Sequence, residues 1–491
     1  MSIDLLNLAP VPTLLRRVRE ELLASFVPGK PLRISRAPGR LDVMGGIADY
    51  TGSLVCEMPL DRAVAVALTS RDDRLVQAFS FNLFDEHLPF TITMSLDDLA
   101  KSSIAELRVS FAAPGRTWGG YLLGCLAVLH EAKLVDLADE SLRGFNVALL
   151  SDVPLGAGVS SSAAIEVATM MNLIDHLGIR DRVDPMRVSA MCQRVENHVV
   201  GAPCGIMDQV ASCAGLEGSL MRMICQPHEI GEPLKFPVGI RAVGINSNVK
   251  HSVGGGQYGK TRCAAFMGHA IILEEMRRFG REIGRELIAD PMKGYLANLD
   301  TEDYKRLFRP RVPELMHGAA FIAKYGKTID TATQPEPEID YHVQFATDHH
   351  VLESRRVKEF ARHLEEAGSR LATAAQRKLS LDKAGHLMYA SHQSYGESAF
   401  LGAAECDLLV ALVRRNEPAG LYGAKITGGG SGGTVAVLCD EGERASAMLH
   451  AIMAEYQTQT GHVPMLFEAS SPGGWAAGTR LVPSPGMPGE G

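Results

Sequence analysis

Three glycine-rich segments and two carboxylates are the parts of this sequence whose types and spacing can do chemistry. In Pro154-Leu-Gly-Ala-Gly-Val-Ser-Ser-Ser162, glycines let the backbone pass close to a bulky anion. Ser160, Ser161 and Ser162 bring hydroxyls to the point where a following helix leaves its N–H groups unpaired, and the positive end of the helix dipole adds attraction. Read alone, the segment is an anion cradle or a strand–helix turn with serine caps. A second segment, Arg36 to Tyr50, combines glycines with Arg36, Arg40, Asp42 and Asp49 in what reads as a turn-rich stretch. There Arg40 can stabilise phosphoryl charge and Asp49 can accept hydrogen bonds from hydroxyls; a structural turn with a surface ion pair is the other reading. The third segment, Lys425-Ile-Thr-Gly-Gly-Gly-Ser-Gly-Gly433, has a glycine density that implies close backbone approach, to a ligand or to another chain segment. Between the second and third motifs lie Glu196, in a helical stretch over 187–200, and Asp208, after the turn Gly201-Ala-Pro-Cys-Gly205. One carboxylate for Mg²⁺ and one to receive a hydroxyl proton are what phosphoryl transfer to an alcohol requires. Two acids at this spacing are also compatible with plain surface carboxylates.

The elements that must position these residues follow from periodicity. Leu32–Ser35, Ala63–Thr69 and Phe145–Leu150 read as strands, and Trp118–Ala132 and Ser161–Leu177 as helices. This is an α/β pattern over roughly the first 225 residues. A charge-rich helical section follows from Thr261 to Arg415, interrupted by a surface loop at Thr333–Glu338. The strand-like run Thr434–Cys439 and a helix over Glu441–Thr460 then suggest an α+β second domain. The expected division is 1–210 and 211–480, with a disordered Pro/Gly-rich tail over 481–491.

Composition narrows the classes. The length of 491 residues accommodates two or three domains, and a hydrophobic share of 46% with 22% charged residues is ordinary for a globular chain. A net charge of −8 offers no footprint for nucleic acid or an anionic membrane. No apolar run approaches the roughly 20 residues of a membrane span. The N-terminus lacks the pattern of a secretion signal. The 9 cysteines form no CxxC pair, so free thiols in a reducing cytoplasm are expected.

Taken together the motifs resemble the GHMP kinase superfamily, in its galactokinase-like branch. That family carries GRxNLIGEHTDYNxG, PxGxGLSSSAALE and TGGGFGG; this chain has GRLDVMGGIADYTG, PLGAGVSSSAAIE and TGGGSGG in the same order. It also has ENHVVGAPCGIMDQ and INSNVKHS, both similar to galactokinase segments. The resemblance implies an N-terminal α/β domain and a ferredoxin-like C-terminal α+β domain with the active site between them. It implies ATP and Mg²⁺ with a monosaccharide acceptor phosphorylated on its anomeric hydroxyl. Pro154, Gly156, Ala157, Gly158, Val159, Ser160, Ser161 and Ser162 would hold the nucleotide, with Ser162 and Glu196 at the metal. Asp208 would face the anomeric hydroxyl, with Arg40 beside it; Asp49, Gly205 and Tyr258 match sugar-contacting positions, and Gly428, Gly429 and Gly430 form the third-motif loop.

Departures from the family carry information too. Galactokinases have Glu-His, near the sugar's C6 hydroxyl, where this chain has Gly46-Ile47. An apolar wall there leaves a buried hydroxyl unpaired, at about 1–3 kcal/mol, and favours L-arabinose, which has the ring stereochemistry of D-galactose without the CH₂OH group. Several stretches, GRLDVMGGIADYTGSLV among them, resemble the kinase domains of plant-type L-arabinokinases. Asp42, where the family has Asn, puts a negative charge beside Arg40, to hold it or to retune it.

Rival readings are a sugar sensor without turnover and a P-loop NTPase. Gly254-Gly-Gly-Gln-Tyr-Gly-Lys-Thr261 matches GxxxxGK(S/T), but the strand before it, Ala242–Asn246, ends eight residues too early for a P-loop. His198, His251, His349 and His350 lack metal-site spacing and are expected to be surface or supporting residues.

Overall fold

The first family motif lies in the segment Arg36–Tyr50, which reads as turn-rich in sequence, yet in the computed structural model residues 36–44 complete a long strand, Leu32–Met44, buried over nearly its whole length, and only Gly46–Thr51 forms a 3-10 helical turn. The strand's pairing with Leu54–Ser70 shifts register between Pro38 and Arg40 and again between Asp42 and Met44. Bulges of this kind absorb Pro and Gly inside a strand and re-aim side chains; they explain why the Ala-Pro-Gly run does not break the element. The structure describes residues 3–27, 29–226, 229–249 and 256–483.

The first sheet runs in the order Thr479–Val482, Leu32–Met44, Leu54–Ser70, Phe145–Ser151, Leu75–Ser80, Thr91–Ser95. The pairings are antiparallel except that between Leu75–Ser80 and Phe145–Ser151. Ser219–Ile224 joins it by pairing with the start of Leu54–Ser70. Helices Thr117–Glu131, Ser161–His176 and Pro185–Arg194 cover it through one large apolar cluster. Burying such a face is what holds a helix of this length in place. The second sheet is four-stranded and antiparallel, in the order Leu421–Ile426, Thr434–Asp440, Ile240–Asn246, Met465–Phe467. Helices Gln257–Glu282, Val343–Gly368, Ala374–Glu397, Ala404–Arg415 and Glu443–Thr460 accompany it.

The division expected at residue 210 falls inside the helix Met207–Ala214. Strand residues beyond it return to the first sheet, as does the segment Thr479–Val482. Leu481 and Val482, expected in a disordered tail, are therefore strand residues; 484–491 lie outside the described residues. Sequence position alone misplaces this segment because its partner, Leu32–Ser35, lies more than four hundred residues away. Between Glu282 and Val343, where a helical section is expected from sequence, the chain forms one helix of 8 residues, Gly318–Tyr325, otherwise short helical turns and a two-stranded ribbon of Met316–His317 with Asp340–Tyr341, with Thr333–Glu338 in a loop. Among the described residues no helix is long and apolar enough to cross a membrane, and all 9 cysteines are free.

Candidate active site

The three glycine segments meet one another. The backbone N–H of Arg40 donates to Val159 O at 3.1 Å, and the Arg40 Nη1 donates to Gly158 O at 2.7 Å. Thr434 Oγ1, just past the third segment, donates to Ala157 O at 2.8 Å. Close backbone packing thus accounts for part of the glycine density. The rest lines a cleft, into which Gly156, Gly158, Val159, Ser160, Ser161 and Ser162 project together with Gly428 and Gly429. Arg40, Ile47, Asp49, Glu196, Gly205, Asp208 and Tyr258 line the same cleft. Gly46, Ala157 and Gly430, all buried, and half-buried Pro154 do not line it.

Ser160 sits at φ +60 directly before the helix Ser161–His176, a left-handed conformation unusual for serine, and its buried hydroxyl has no hydrogen-bond partner. Strain and an orphaned polar atom at a helix N-terminus, in a cleft, are features of an anion site.

Arg40 is almost wholly buried between acids. Its Nε donates to Asp208 Oδ1 at 2.9 Å and its Nη2 lies 2.7 Å from the same oxygen, while Glu57 Oε2 is 3.2 Å from Nε. Burial works against its charge, but Asp208, Glu57 and Asp42 outweigh that and hold the guanidinium protonated above the usual arginine value. Both contacts from Arg40 fall on Oδ1 of Asp208, so Oδ2 receives no hydrogen bond from the described residues. Asp208 lies in the first turn of Met207–Ala214, where the helix dipole favours negative charge.

Asp49 is buried beneath the loop 201–206. Its Oδ1 accepts from the Tyr50 N–H at 2.6 Å and its Oδ2 from the Met207 N–H at 3.4 Å. Burial, reinforced by nearby Asp208, pushes its carboxyl up to about 7. A Cβ on Gly205 would stand 1.6 Å from Asp49 Oδ2, so only glycine permits this approach. Glu196 belongs to a π-helical turn, Val195–Val200, that continues Pro185–Arg194; such turns cluster at functional sites. Burial pushes Glu196 up to about 7, against the opposing hydrogen bond of Ser162. Gln209 Nε2 donates to Glu196 Oε2 at 2.7 Å and to buried Glu166 Oε2 at 3.2 Å. Among the described residues no group of three or more His, Cys, Asp or Glu is placed to hold a metal ion. Mg²⁺ shared with phosphates needs only one or two carboxylates, the rest being phosphate oxygens and water, and the Ser162–Glu196 pair meets that need.

Asp42 is explained by a residue the sequence did not mark. Its Oδ2 accepts from Lys425 Nζ at 2.6 Å, with both side chains fully buried, and from the Gly428 N–H at 3.2 Å. Burial opposes ionisation, yet Lys425 keeps Asp42 below the usual carboxylate range. The extra negative charge beside Arg40 is therefore balanced from the third motif. Other residues missed from sequence are Glu57, Tyr395, Arg262 and Asp330. Glu57 carried a signal, being an acid in the otherwise apolar run Leu54-Val-Cys-Glu-Met58.

The lysine of the P-loop match does not line the cleft. Gly254 and Gly255 lie outside the described residues, Tyr258 faces the cleft, and Lys260 lines a separate cavity with Gln257 and His342. His349 and His350, expected at the surface or in support, are fully buried in the helix Val343–Gly368, and burial pushes His350 down to about 4. His198 is partly exposed, and His251 lies outside the described residues.

With this geometry in hand, the chain can be set beside known proteins. Residues 121–216 match the GHMP kinases N terminal domain, 371–458 the GHMP kinases C terminal, and 24–70 the galactokinase galactose-binding signature. The chain belongs to the GHMP kinase family, in its galactokinase-like branch. This GHMP kinase is 35% identical over 492 residues to an L-arabinokinase of Arabidopsis thaliana, an overlap covering 90% of this chain and 46% of that protein. The chain thus spans about half the length of that relative. A galactokinase of Chloroflexus aggregans (strain MD-66 / DSM 9485) is 29% identical over 442 residues, covering 88% of this chain and 90% of the other. In fold, the Lactococcus lactis galactokinase complexed with galactose superposes with a TM-score of 0.70 at 21% identity, over 94% of this chain and 98% of that one. The Methanococcus jannaschii mevalonate kinase gives 0.53 at 12% identity, over 89% and 97%. The expected fold, two GHMP kinase domains of mixed α and β content, is therefore the observed one.

Proposed function

We propose that this GHMP kinase is a sugar 1-kinase that transfers the γ-phosphoryl group of ATP to the anomeric hydroxyl of L-arabinose, giving L-arabinose 1-phosphate and ADP. The observation that carries the kinase reading is the Arg40–Asp208 pair, set in one cleft with the serine-lined helix N-terminus. Ser160, Ser161 and Ser162 with the adjacent backbone would bind the ATP phosphates. Arg40, a fixed cation beside the phosphate loop, would stabilise charge on the transferring group. The unengaged Oδ2 of Asp208 is the atom to which the anomeric hydroxyl would give its proton as the O1–P bond forms and the bond from Pγ to the β,γ-bridging oxygen breaks. Asp49, Gly205 and Tyr258 would orient the sugar. Mg²⁺, held by Ser162 and Glu196, would neutralise phosphate charge when bound.

The pentose is supported by Ile47 in the lining, by the lack of a side chain at Gly46, and by the similarity to an L-arabinokinase. D-galactose is the second reading, favoured by the galactokinase galactose-binding signature over 24–70. ADP release measured with a panel of pentoses and hexoses tests both. The expected result is a higher kcat/KM for L-arabinose than for D-galactose, with Asp208→Asn reducing kcat at least about a hundredfold. A preference for D-galactose overturns the pentose assignment, and no turnover with any sugar overturns the kinase.

A further inference from the structure

Behind the cleft wall, the space beside Gly46 is already taken. Gly46 has φ +47, and a Cβ added there would stand 1.7 Å from the Tyr395 hydroxyl and 2.8 Å from its Cζ. Tyr395, on the helix Ala374–Glu397, is fully buried and cannot swing aside. Its hydroxyl accepts from the Ile47 N–H at 3.0 Å and donates to Gly428 O at 2.9 Å. Its ring packs edge-on to His349 at 5.1 Å, with Lys425 Nζ 5.2 Å from its centre. One phenol therefore ties the first-motif turn to the third-motif loop, fixes Ile47 in the lining, and leaves no volume for any side chain at position 46. Its only proton is committed to Gly428, so it has none to offer a substrate hydroxyl.

We propose that Tyr395 is the specificity-determining residue of this sugar site: by filling the position-46 volume and pinning Ile47, it closes the wall against an aldopyranose bearing a hydroxymethyl group. The assignment rests on the sugar-kinase reading above and names the residue that enforces its pentose preference. Placing Glu and His at positions 46 and 47 is thus not enough to open the site, because the new Cβ meets the Tyr395 ring.

The test compares kcat/KM for L-arabinose and D-galactose, and KM for ATP, in four proteins. These are the wild type, Tyr395→Phe, Gly46→Glu with Ile47→His, and that pair combined with Tyr395→Ala. Tyr395→Phe, which frees the Ile47 N–H and the volume of one oxygen, is expected to lower the arabinose-to-galactose ratio at least fivefold with ATP KM within twofold. The double variant is expected to lose at least fiftyfold on both sugars, and the added Tyr395→Ala to restore galactose turnover at least tenfold over it. A merely structural tyrosine would lower both sugars equally, and an unchanged ratio in Tyr395→Phe overturns the proposal. So does a double variant that gains galactose activity with Tyr395 in place. If the double variant does not fold, the ratio in Tyr395→Phe decides. The wild-type preference judges the pentose assignment separately: should the wild type prefer galactose, that assignment falls, while a shift towards the larger sugar in Tyr395→Phe still reads out Tyr395.

Discussion

Asp49 and Glu196 line the cleft as buried acids, and burial is the chief cause that pushes each up to about 7 from the ordinary carboxylate range. The sign of the consequence follows from proton binding. Between about pH 4 and pH 7 the folded chain holds protons at these sites that the unfolded chain has released. Stability must then fall as pH rises through that window. A tenfold change in proton affinity is worth about 1.4 kcal/mol, so each acid contributes on the order of a few kcal/mol of decline. The melting temperature of the ligand-free protein is expected to drop between pH 5 and 7.5, with Asp49→Asn and Glu196→Gln each removing part of the slope. Glu57 and Glu166, raised by burial as well, keep a residual decline in both variants. A melting temperature flat or rising over this range would contradict the assignment. At this scale the sequence was legible where motif spacing carried the information: Arg40, Asp49, Ser162, Glu196 and Asp208 all reach one cleft. It was not legible for Lys425 and Tyr395, whose roles exist only because distant segments pack against the first motif.

At the scale of elements, the segment between Glu282 and Val343 reads in sequence as part of a helical section broken by the loop Thr333–Glu338, and sequence assigns it no functional role. It supplies Asp330, whose two oxygens accept from Arg262 Nε and Nη2 at 2.8 Å each. Arg262 in turn donates through Nη1 to Cys204 O at 2.9 Å and lies 4.8 Å over the Tyr50 ring. The pair therefore braces the turn 201–205 that carries Gly205 against Asp49, and Arg262 opposes the upward push on Asp49. Breaking one side of a buried ion pair leaves the other charge uncompensated, at about 3–5 kcal/mol. Asp330→Asn should consequently lower the melting temperature and raise KM for the sugar several-fold, while KM for ATP stays within twofold, since the serine loop stands on other elements. Equal rises in both KM values would show that the brace acts on the whole cleft. Strand misreadings at this scale have a plain cause: Ala37-Pro-Gly39 has turn composition, and only the register shift against Leu54–Ser70 makes it strand.

Across the whole molecule, the cleft is assembled from segments as distant in sequence as Arg40 and Gly429, because the chain crosses between the two sheets more than once. Its most distant return is Thr479–Val482, which pairs with Leu32–Ser35, the start of the strand that goes on to carry Arg40 and Asp42. Adjacent residues of that short strand point to opposite faces. Val482 is buried in the cluster of Leu5, Leu14 and Ile34, whereas Leu481 is 59% exposed. A carboxylate at 482 must be desolvated without a partner or expel the strand, at a cost of several kcal/mol; one at 481 remains in water. Thermal unfolding should therefore show Val482→Asp several degrees below the parent and Leu481→Asp within about two degrees of it. Because the edge strand supports the outer end of Leu32–Met44 and touches no cleft residue, surviving Val482→Asp protein should keep its KM values at temperatures below its transition. A matched loss in both variants would mean that the return strand contributes little to the first sheet, and that Leu32–Met44 is held by Leu54–Ser70 alone.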